Sequence, residues 1–278
     1  MCNLSLKLLN NYITKIIEYQ DKELIFEFSG VILFLYFYVG DFMRVMTFNI
    51  QHCLEYKKKR INIPLFYKTI GSLDVDVCGL NEVRGKGRLF GYTDQTNALG
   101  DGLGYNRYFA EAIKVKGSSP YGNALVTRLN IVSAETIKIP DPDDKNDKGC
   151  FESRCVLKAV LEVNGKNICV LICHMGLEPS ERVNAVETIC KLIDETDLPV
   201  ILMGDFNASP DDSVFLPIYE RLKDSDELSA VKGMPTYPSF APEVKIDYIF
   251  YRGLNCKRVE TYGEVVSDHL PIIAEFDI

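Results

Sequence analysis

Several apolar runs in this chain end in acidic, amide or imidazole side chains, and this pattern limits its fold more than any other feature. The runs cover residues 44–48, 75–80, 200–203 and 244–250, and their length and composition predict buried strands. The polar motifs that close these runs, lie within them or precede the last predicted strand are Thr47-Phe48-Asn49, Asn81-Glu82-Val83, Gly204-Asp205-Phe206-Asn207, Ile246-Asp247-Tyr248 and Ser267-Asp268-His269. Strand ends that converge on one edge of a sheet would bring these side chains together.

The remaining pattern predicts an α/β protein with both hairpins and helices. Helical spacing covers residues 64–73, 93–103 and 181–193. Predicted strands cover residues 76–80, 105–115, 123–127, 131–139, 154–163 and 167–173, with others near residues 200, 244, 258 and 271. Asn164-Gly165 predicts a tight hairpin turn, and residues 140–149 form a polar loop. We therefore expect a two-sheet sandwich flanked by helices.

Residues 1–42 are predicted to be an extension in front of a catalytic domain at residues 43–278. Residues 28–40 are uncharged and apolar, but a membrane-spanning helix needs about 20 such residues. Asp21, Glu23 and Glu27 precede them, which is the wrong flank for a signal peptide. Because Met43 begins the first predicted strand, we expect the native protein to start there. The alternative is a membrane-associating helix over residues 24–40.

The cysteines favour a reducing compartment. They number nine, and an odd number argues against a secreted disulfide framework. Cys169 and Cys173 fall on one predicted strand at a separation of about 13 Å, which is too far for a disulfide. No Cys-x-x-Cys pair suggests zinc. The cytoplasm is the expected location, with membrane association through residues 24–40 as the alternative.

Glu82 and Asp268 are candidate ligands for a divalent ion. Hydrolysis of a phosphate ester needs a metal that offsets phosphoryl charge, an activated water and donors where negative charge develops. Mg²⁺ takes hard oxygen ligands, so a carboxylate at a strand end suits it. A solvated strand-end glutamate is the competing explanation for Glu82. Asp268 is placed to reach toward the same ion.

Asp205, Asn207 and His269 are candidates for the chemistry itself. Asp205 can hold or deprotonate the attacking water, and the Asn207 amide can donate to a phosphoryl oxygen. An ordinary turn is the competing explanation, because Asp and Asn are common there. His269 needs an orienting carboxylate, for which Asp247 is the candidate. A lone histidine at a strand end is more often a satisfied hydrogen-bonding group, and we interpret His52 in that way.

In their order along the chain, these motifs resemble those of the endonuclease/exonuclease/phosphatase superfamily. The matching segments are Thr47-Phe48-Asn49, Asn81-Glu82, Tyr121-Gly122-Asn123-Ala124, His174-Met175-Gly176, Gly204-Asp205-Phe206-Asn207, Ile246-Asp247-Tyr248 and Ser267-Asp268-His269. The resemblance runs from about Met43 to the C-terminus. It implies a pancreatic-DNase-like fold, which is a four-layer α/β sandwich with its active site at one edge, and a requirement for Mg²⁺ or Mn²⁺.

The resemblance also implies roles for individual residues. Its metal residues are Asn49, Glu82 and Asp268, and its catalytic residues are His174, Asp205, Asn207, Asp247 and His269. Whether His269 acts as a base or as an electrostatic stabiliser stays open. A binding module that had lost its chemistry would lack one of the acidic or imidazole positions, and none is missing.

The substrate is left open within this superfamily. Leu80-Asn81-Glu82-Val83 departs from the Leu-Gln-Glu-Thr motif of the abasic-site repair enzymes, and His174 is closer to the DNase and sphingomyelinase pattern. We expect a metal-dependent hydrolase of phosphodiesters or phosphomonoesters. A membrane-associated, sphingomyelinase-like phosphodiesterase and a DNA or RNA nuclease are the alternatives. The substrate is then a small molecule, a lipid headgroup or a nucleic acid, and the enzyme is expected to be a monomer without an obligate protein partner.

Charge and two further residues bear on substrate binding. The formal net charge is −8, and the longest basic cluster is Lys57-Lys58-Lys59-Arg60. Proteins that grip long nucleic acids usually carry a basic face, because counterion release supplies much of the affinity. The balance favours small phosphoesters, although an acidic protein can still have a local basic groove. Asn123 is predicted to donate its amide into the cleft, and Arg154 either clamps a phosphate or forms a structural ion pair.

Overall fold

The computed structural model describes residues 42–143, 149–229 and 233–278 in full, together with the backbone of three earlier strands. The chain divides into two compact units, residues 1–41 and 42–278. In the first unit, β1 (Lys15–Gln20), β2 (Glu23–Phe28) and β3 (Val31–Tyr36) form an antiparallel sheet in that order. That the native protein starts at Met43 stays a prediction.

The alternative prediction of a membrane-associating helix over residues 24–40 was wrong. β2 and β3 cover most of that stretch, and its remaining residues, 29–30 and 37–40, lie outside the described part of the chain. The physical reason is composition, because the stretch is rich in the β-branched and aromatic residues that favour strands. Among the described residues, no helix is long and apolar enough to cross a membrane.

The second unit is built on two six-stranded sheets. Its strands are β4 (Phe42–Asn49), β5 (Leu54–Glu55), β6 (Arg60–Ile61), β7 (Val77–Arg84), β8 (Asn106–Val115), β9 (Ser119–Thr127), β10 (Asn130–Lys138), β11 (Cys155–Val163), β12 (Lys166–His174), β13 (Val200–Asp205), β14 (Lys223–Asp224), β15 (Asp247–Arg252), β16 (Asn255–Thr261) and β17 (Ile272–Asp277). One sheet has the order β10-β11-β12-β13-β15-β14 and the other β16-β17-β4-β7-β9-β8, while β5 and β6 form a separate two-stranded ribbon.

The predicted helices form within one or two residues of their expected bounds, as α1 (Ile63–Ser72), α2 (Gln95–Leu103) and α3 (Pro179–Asp194), and a short α4 (Leu216–Tyr219) follows. Their ends are fixed by local chemistry. Asn62 and Asp94 accept hydrogen bonds from backbone N–H groups in the first turns of α1 and α2. Gly104 ends α2 with a φ of 70°, a conformation that glycine adopts without steric cost.

The core lies in three layers, which gives the predicted four-layer sandwich. Between the sheets pack residues of both, such as Val45 and Ile201. Outside one sheet, Ile189 of α3 packs on its outer face, and outside the other, Phe66 of α1 and Leu99 of α2 do the same. Neighbouring residues of each strand point to opposite faces, so strands buried on both sides are apolar throughout.

The strand directions place several chain segments at one edge. β4 and β7 run parallel, with Asn49 opposite Asn81. β12 and β13 also run parallel, with His174 opposite Asp205. β15 runs antiparallel to β13 and begins at Asp247, opposite Asp205. The carboxyl ends of four strands and the start of a fifth therefore deliver polar side chains to the same edge of the sandwich.

Candidate active site

Glu82 lies at an irregularity in the strand pairing of β7. The pairing register between β7 and β9 shifts between Leu80 and Val83, and Glu82 takes a φ of 59°. A non-glycine residue in this region is uncommon and persists only when its surroundings fix it. Its carboxylate is held on both sides, since Asn49 Nδ2 donates to Oε1 at 3.1 Å and the Tyr121 hydroxyl donates to Oε2 at 2.8 Å.

Asp205 is buried at the end of β13. The strand position before it requires glycine, because Gly204 has a φ of 147° and a Cβ there would overlap the carbonyl oxygen of Cys173. Asp205 Oδ2 accepts from Asn49 Nδ2 at 3.0 Å, and Oδ1 accepts from the Asn207 N–H at 3.0 Å. Burial, together with the charge of Asp247, raises the pKa of Asp205 to about 7.

His269 is paired with Asp247 as predicted for an oriented imidazole. His269 Nδ1 lies 2.8 Å from Asp247 Oδ2, and the Thr236 hydroxyl donates to the same oxygen at 2.6 Å. Burial opposes the charged imidazolium, but the charge and hydrogen bond of Asp247 outweigh it and raise the pKa of His269 to about 10. His269 is therefore protonated at neutral pH, and its Nε2–H faces Asp205 Oδ2 at 3.7 Å.

His174 has the opposite charge state. Burial and the positive charge of Arg154 hold the pKa of His174 well below its usual value, so the ring is neutral at neutral pH. Arg154 Nη1 lies 3.2 Å from His174 Nδ1. Because a guanidinium can only donate, Nδ1 accepts and the proton is on Nε2. That Nε2–H lies 3.4 Å from Asp205 Oδ2.

Asn207 and Asp268 contribute further polar groups to the site. The Asn207 amide donates to the Met175 carbonyl at 3.0 Å, which leaves its second N–H for another acceptor. Asp268 Oδ2 accepts from Gln51 Nε2 at 2.8 Å. Burial raises the pKa of Asp268, and the charge of Glu82 raises it further, so the two carboxylates are close enough to repel one another.

These residues fit a divalent ion between Glu82 and Asp268. Gln51 Oε1 is buried and has no hydrogen-bond partner within the described part of the chain. Gln51 itself lies in a left-handed turn with a φ of 41°. The unpartnered amide oxygen of Gln51, which bonds Asp268, and the carboxylates of Glu82 and Asp268 are hard oxygen donors of the kind that Mg²⁺ or Mn²⁺ prefers.

A second cluster is less suited to an ion. Asp205, Asp247 and His269 bring ligand atoms within 4.8 Å of one another. A metal needs neutral imidazole, however, and Asp247, which bonds Nδ1 of this imidazole, raises its pKa and so favours the protonated ring. The Glu82 side of the cleft therefore offers the better-fitting donor set.

The sequence model described as "Endonuclease/Exonuclease/phosphatase family" matches residues 46–269. This chain belongs to that family. Members of the endonuclease/exonuclease/phosphatase family are hydrolases of phosphoester bonds and generally use divalent metal ions. The predicted membership and the two-sheet fold are thereby confirmed.

Solved structures of the family show the same fold. A family protein from Leptotrichia buccalis matches with a TM-score of 0.69 and 20% identity, covering 85% of this chain and 100% of its own. A mannosyl-6-phosphatase from Bacteroides thetaiotaomicron matches with a TM-score of 0.68 and 19% identity, covering 85% of this chain and 100% of its own. A curated UPF0294 protein of Vibrio parahaemolyticus is 26% identical over 122 residues, which are 41% of this chain and only 42% of that relative.

Asn123 does not take the place predicted for it in the family cleft. It is buried, its Nδ2 donates to the Cys155 carbonyl at 3.0 Å, and its Oδ1 accepts from Asn81 Nδ2 at 2.8 Å. Both ends of the amide are thus used inside the sandwich, where Asn123 links the two sheets. Arg154 forms the ion pair considered for it, at 3.2 Å from Glu152, while its Nε is buried without a partner among the described residues.

Four residues that support the site were not singled out from the sequence. Asn81 donates to the Cys173 carbonyl at 3.0 Å and accepts from the Asp205 N–H at 2.9 Å, so it holds the catalytic strand end in place. Gln51, Tyr121 and Thr236 each bond a carboxylate of the site. Only Asn81 and Tyr121 lie inside motifs that mark the family; Gln51 and Thr236 carry no comparable signal.

Proposed function

We propose that this chain hydrolyses phosphodiester or phosphomonoester bonds with Mg²⁺ or Mn²⁺ and a water nucleophile. The observation that carries the proposal is the placement of the His174 and His269 imidazoles, whose Nε2 atoms lie 3.4 Å and 3.7 Å from the buried Asp205 Oδ2. A carboxylate whose pKa is about 7, Asp205, faces an imidazolium, His269. Pairs of titratable groups whose environments separate their pKa values are typical of acid–base sites.

Glu82, Asp268 and the oxygen of Gln51 would hold the ion, with Asn49 keeping Glu82 in place. An ion held there would supply positive charge to offset that of the phosphoryl group. Asn49 donates to Glu82 and to Asp205 from the same nitrogen, so it fixes the distance between the residue that holds the ion and the residue that handles the water.

Asp205 is the proposed acceptor of the water proton. Its raised pKa makes it a stronger base than a solvated carboxylate. Its contacts with Asn49 and the Asn207 N–H fix the carboxylate plane. A water within hydrogen-bond reach of Asp205 would be positioned for attack on the phosphorus.

His269 and His174 are proposed to act on the phosphate as donors. His269 carries a positive charge and His174 is neutral with its proton on Nε2, and both Nε2 atoms lie within 4 Å of Asp205 Oδ2. They therefore present two N–H groups to one point, with the free N–H of Asn207 nearby. The raised pKa of His269 favours the electrostatic role over the role of base, and Arg154 adds positive charge behind His174.

The substrate is proposed to be a phosphoester taken up by a monomer in a reducing compartment. The described cysteines are free thiols, which agrees with the cytoplasmic location expected from the sequence.

The test is hydrolysis of bis(p-nitrophenyl) phosphate and p-nitrophenyl phosphate with and without Mg²⁺. Metal-dependent release of p-nitrophenol is expected for at least one of them. It should fall at least about 100-fold in His269→Ala, the scale of losing a charge-stabilising or acid–base group. The control is Asp194→Ala, an exposed carboxylate paired with Arg221, which should keep wild-type turnover. Unchanged turnover in His269→Ala would refute the site.

A further inference from the structure

Two surface segments that bond to the backbone of residues 266–268 carry aromatic side chains. One is the turn between β5 and β6, with Tyr56, and the other is the loop at residues 237–244, with Tyr237 and Phe240. The Tyr56 and Phe240 rings stack, with centroids 5.9 Å apart and planes 17° apart. The Tyr237 ring lies 4.9 Å from the His269 ring. We call Tyr56, Tyr237 and Phe240 the aromatic platform.

The platform is fixed to the catalytic motif by backbone bonds. The Tyr56 N–H donates to the Val266 carbonyl at 2.9 Å. From the other segment, the Ser239 N–H donates to the Asp268 carbonyl at 2.7 Å, and its hydroxyl donates to the Ser267 carbonyl at 2.6 Å. The rings consequently hold a set position relative to the proposed phosphate site.

The rings remain open to a ligand. Phe240 is 62% exposed and Tyr237 is 38% exposed, whereas the aromatic side chains of the core are buried. Phe240 already rests on Tyr56, so a flat group added to its open face would extend an existing stack. A planar group that stacks on such a ring removes the apolar surface of the ring from water, and this favours binding.

Positive charge accompanies the platform. Lys59 Nζ lies 3.7 Å from the centroid of the Tyr56 ring, and Lys57, Lys58 and Arg60 are exposed beside it. Glu55 pairs with Lys58 at 2.8 Å and with Arg60 at 3.4 Å. The segment therefore keeps an excess of positive charge on a protein whose net charge is −8.

We propose that the platform binds the base of a nucleotide or short single-stranded oligonucleotide whose phosphoester lies at the catalytic site. This rests on the proposed function and narrows its substrate class. A flat exposed ring with lysines beside it offers base stacking and phosphate neutralisation, the combination that binds single strands. A membrane surface would need a broad apolar face, whereas Tyr56 is covered by Phe240 and Lys59.

The experiment measures binding without chemistry. Fluorescence anisotropy in a chelator follows a labelled hexathymidylate and a matched strand in which abasic spacers replace the bases. Phe240→Ala should weaken binding of the hexathymidylate about tenfold, the scale of one base–aromatic stacking contact. Binding of the abasic strand should change less than about twofold, because its phosphates are retained. Phe240→Tyr keeps an aromatic ring, so its affinity for the hexathymidylate should be close to that of the wild type.

Two controls separate stacking from general effects. Phe42→Ala removes an exposed ring, 42% exposed, at the other end of the strand that carries Asn49, about 23 Å away at the usual rise; it should leave both affinities unchanged. Lys57→Ala with Lys59→Ala should weaken both strands and lower the salt dependence, because phosphate contacts do not distinguish them.

Equal weakening of both strands by Phe240→Ala, or no weakening of either, would overturn the proposal. A second result would also overturn it. If the wild-type protein binds phosphatidylserine vesicles, and Phe240→Ala abolishes that binding but leaves hexathymidylate binding intact, the platform binds a membrane. Wild-type turnover of bis(p-nitrophenyl) phosphate is measured in parallel. If that turnover is absent, the proposed function fails, while the anisotropy result still decides whether the platform binds bases.

Discussion

His269 Nδ1 lies 2.8 Å from Asp247 Oδ2, and both side chains are buried. The ion pair keeps a positive charge in the cleft at neutral pH, where a negatively charged phosphate would meet it. Thr236 donates to the same Asp247 oxygen, so the carboxylate is held in one orientation. The relationship has consequences for stability as well as for catalysis.

The stability contributed by His269 should depend on pH. Its pKa is raised from the ordinary 6.5 to about 10. The contribution is therefore complete below pH 6.5 and is lost as pH rises to 10, at up to about 1.4 kcal/mol per pH unit. The difference in unfolding free energy between wild type and His269→Gln, from urea titrations, should shrink across this window. His52→Gln is the control: burial and Arg84 lower the pKa of His52, so its contribution to stability is not lost as pH rises through this window. A difference in unfolding free energy for His269→Gln that does not change with pH would contradict the pairing.

The rate should respond to two ionisations. Asp205, whose pKa is raised to about 7 without a metal, must lose its proton to accept one from water, so kcat/KM should rise with pH to a plateau at or below about pH 7, because a bound dication favours the ionised carboxylate. Above about pH 10, loss of the His269 proton removes the positive charge and the rate should fall. The measurement is a pH profile with saturating Mg²⁺. In Asp205→Asn the acid limb should disappear along with at least about 100-fold of the rate. A wild-type profile without an acid limb would argue against Asp205 as the base.

Gln51 should contribute to metal affinity. Its Oε1 has no partner among the described residues and its Nε2 bonds Asp268, so Gln51→Ala removes one oxygen and loosens a carboxylate. We expect about 10-fold weaker Mg²⁺ binding by calorimetry, and a still larger loss in Glu82→Ala. The matched control is Glu162→Ala, whose exposed carboxylate accepts from Asn130. Wild-type affinity in both site variants would place the ion elsewhere.

Asn81 should contribute to the free energy of unfolding rather than to binding of the metal or the substrate. Asn81→Ala leaves the Asp205 N–H, the Cys173 carbonyl and Asn123 Oδ1 without their present partner. Each unsatisfied buried polar group costs about 1–3 kcal/mol, so we expect a loss of about 3 kcal/mol or more in urea denaturation. Asn130→Ala, an exposed amide, should change the unfolding free energy by less than about 0.5 kcal/mol. Equal effects would show that Asn81 does not brace the strand end.

The strand ends were predicted well from the sequence, because polar residues that close a buried apolar strand lie where the strand leaves the core. Asn49, Glu82, His174, Asp205 and Asp247 all lie at one edge, as strand polarity requires. The pairing partners of these side chains were less accessible. Asn123 was expected in the cleft, but its amide lies between the sheets, and only tertiary packing decides which buried carbonyls need a donor.

Local conformation was hidden where the residues gave no steric signal. Gln51, His52 and Cys53 all have positive φ values without a glycine among them, so nothing in their identities indicates the turn that aims Gln51 at Asp268. For the apolar stretch at residues 24–40, the residues carried two conflicting signals. Its length and scarcity of charge suggested a membrane-associating helix, whereas its β-branched and aromatic residues favour strands, and β2 and β3 show that strand propensity prevailed.

The central claim is that Glu82 and Asp268 hold a divalent ion in front of Asp205 and His269. Anomalous diffraction from crystals soaked in Mn²⁺ tests it most directly. We expect one strong peak at about 2.0–2.3 Å from a Glu82 carboxylate oxygen, with Asp268 and Gln51 bound directly or through water. A peak among Asp205, Asp247 and His269, or no peak near Glu82 at saturating Mn²⁺, would contradict the account.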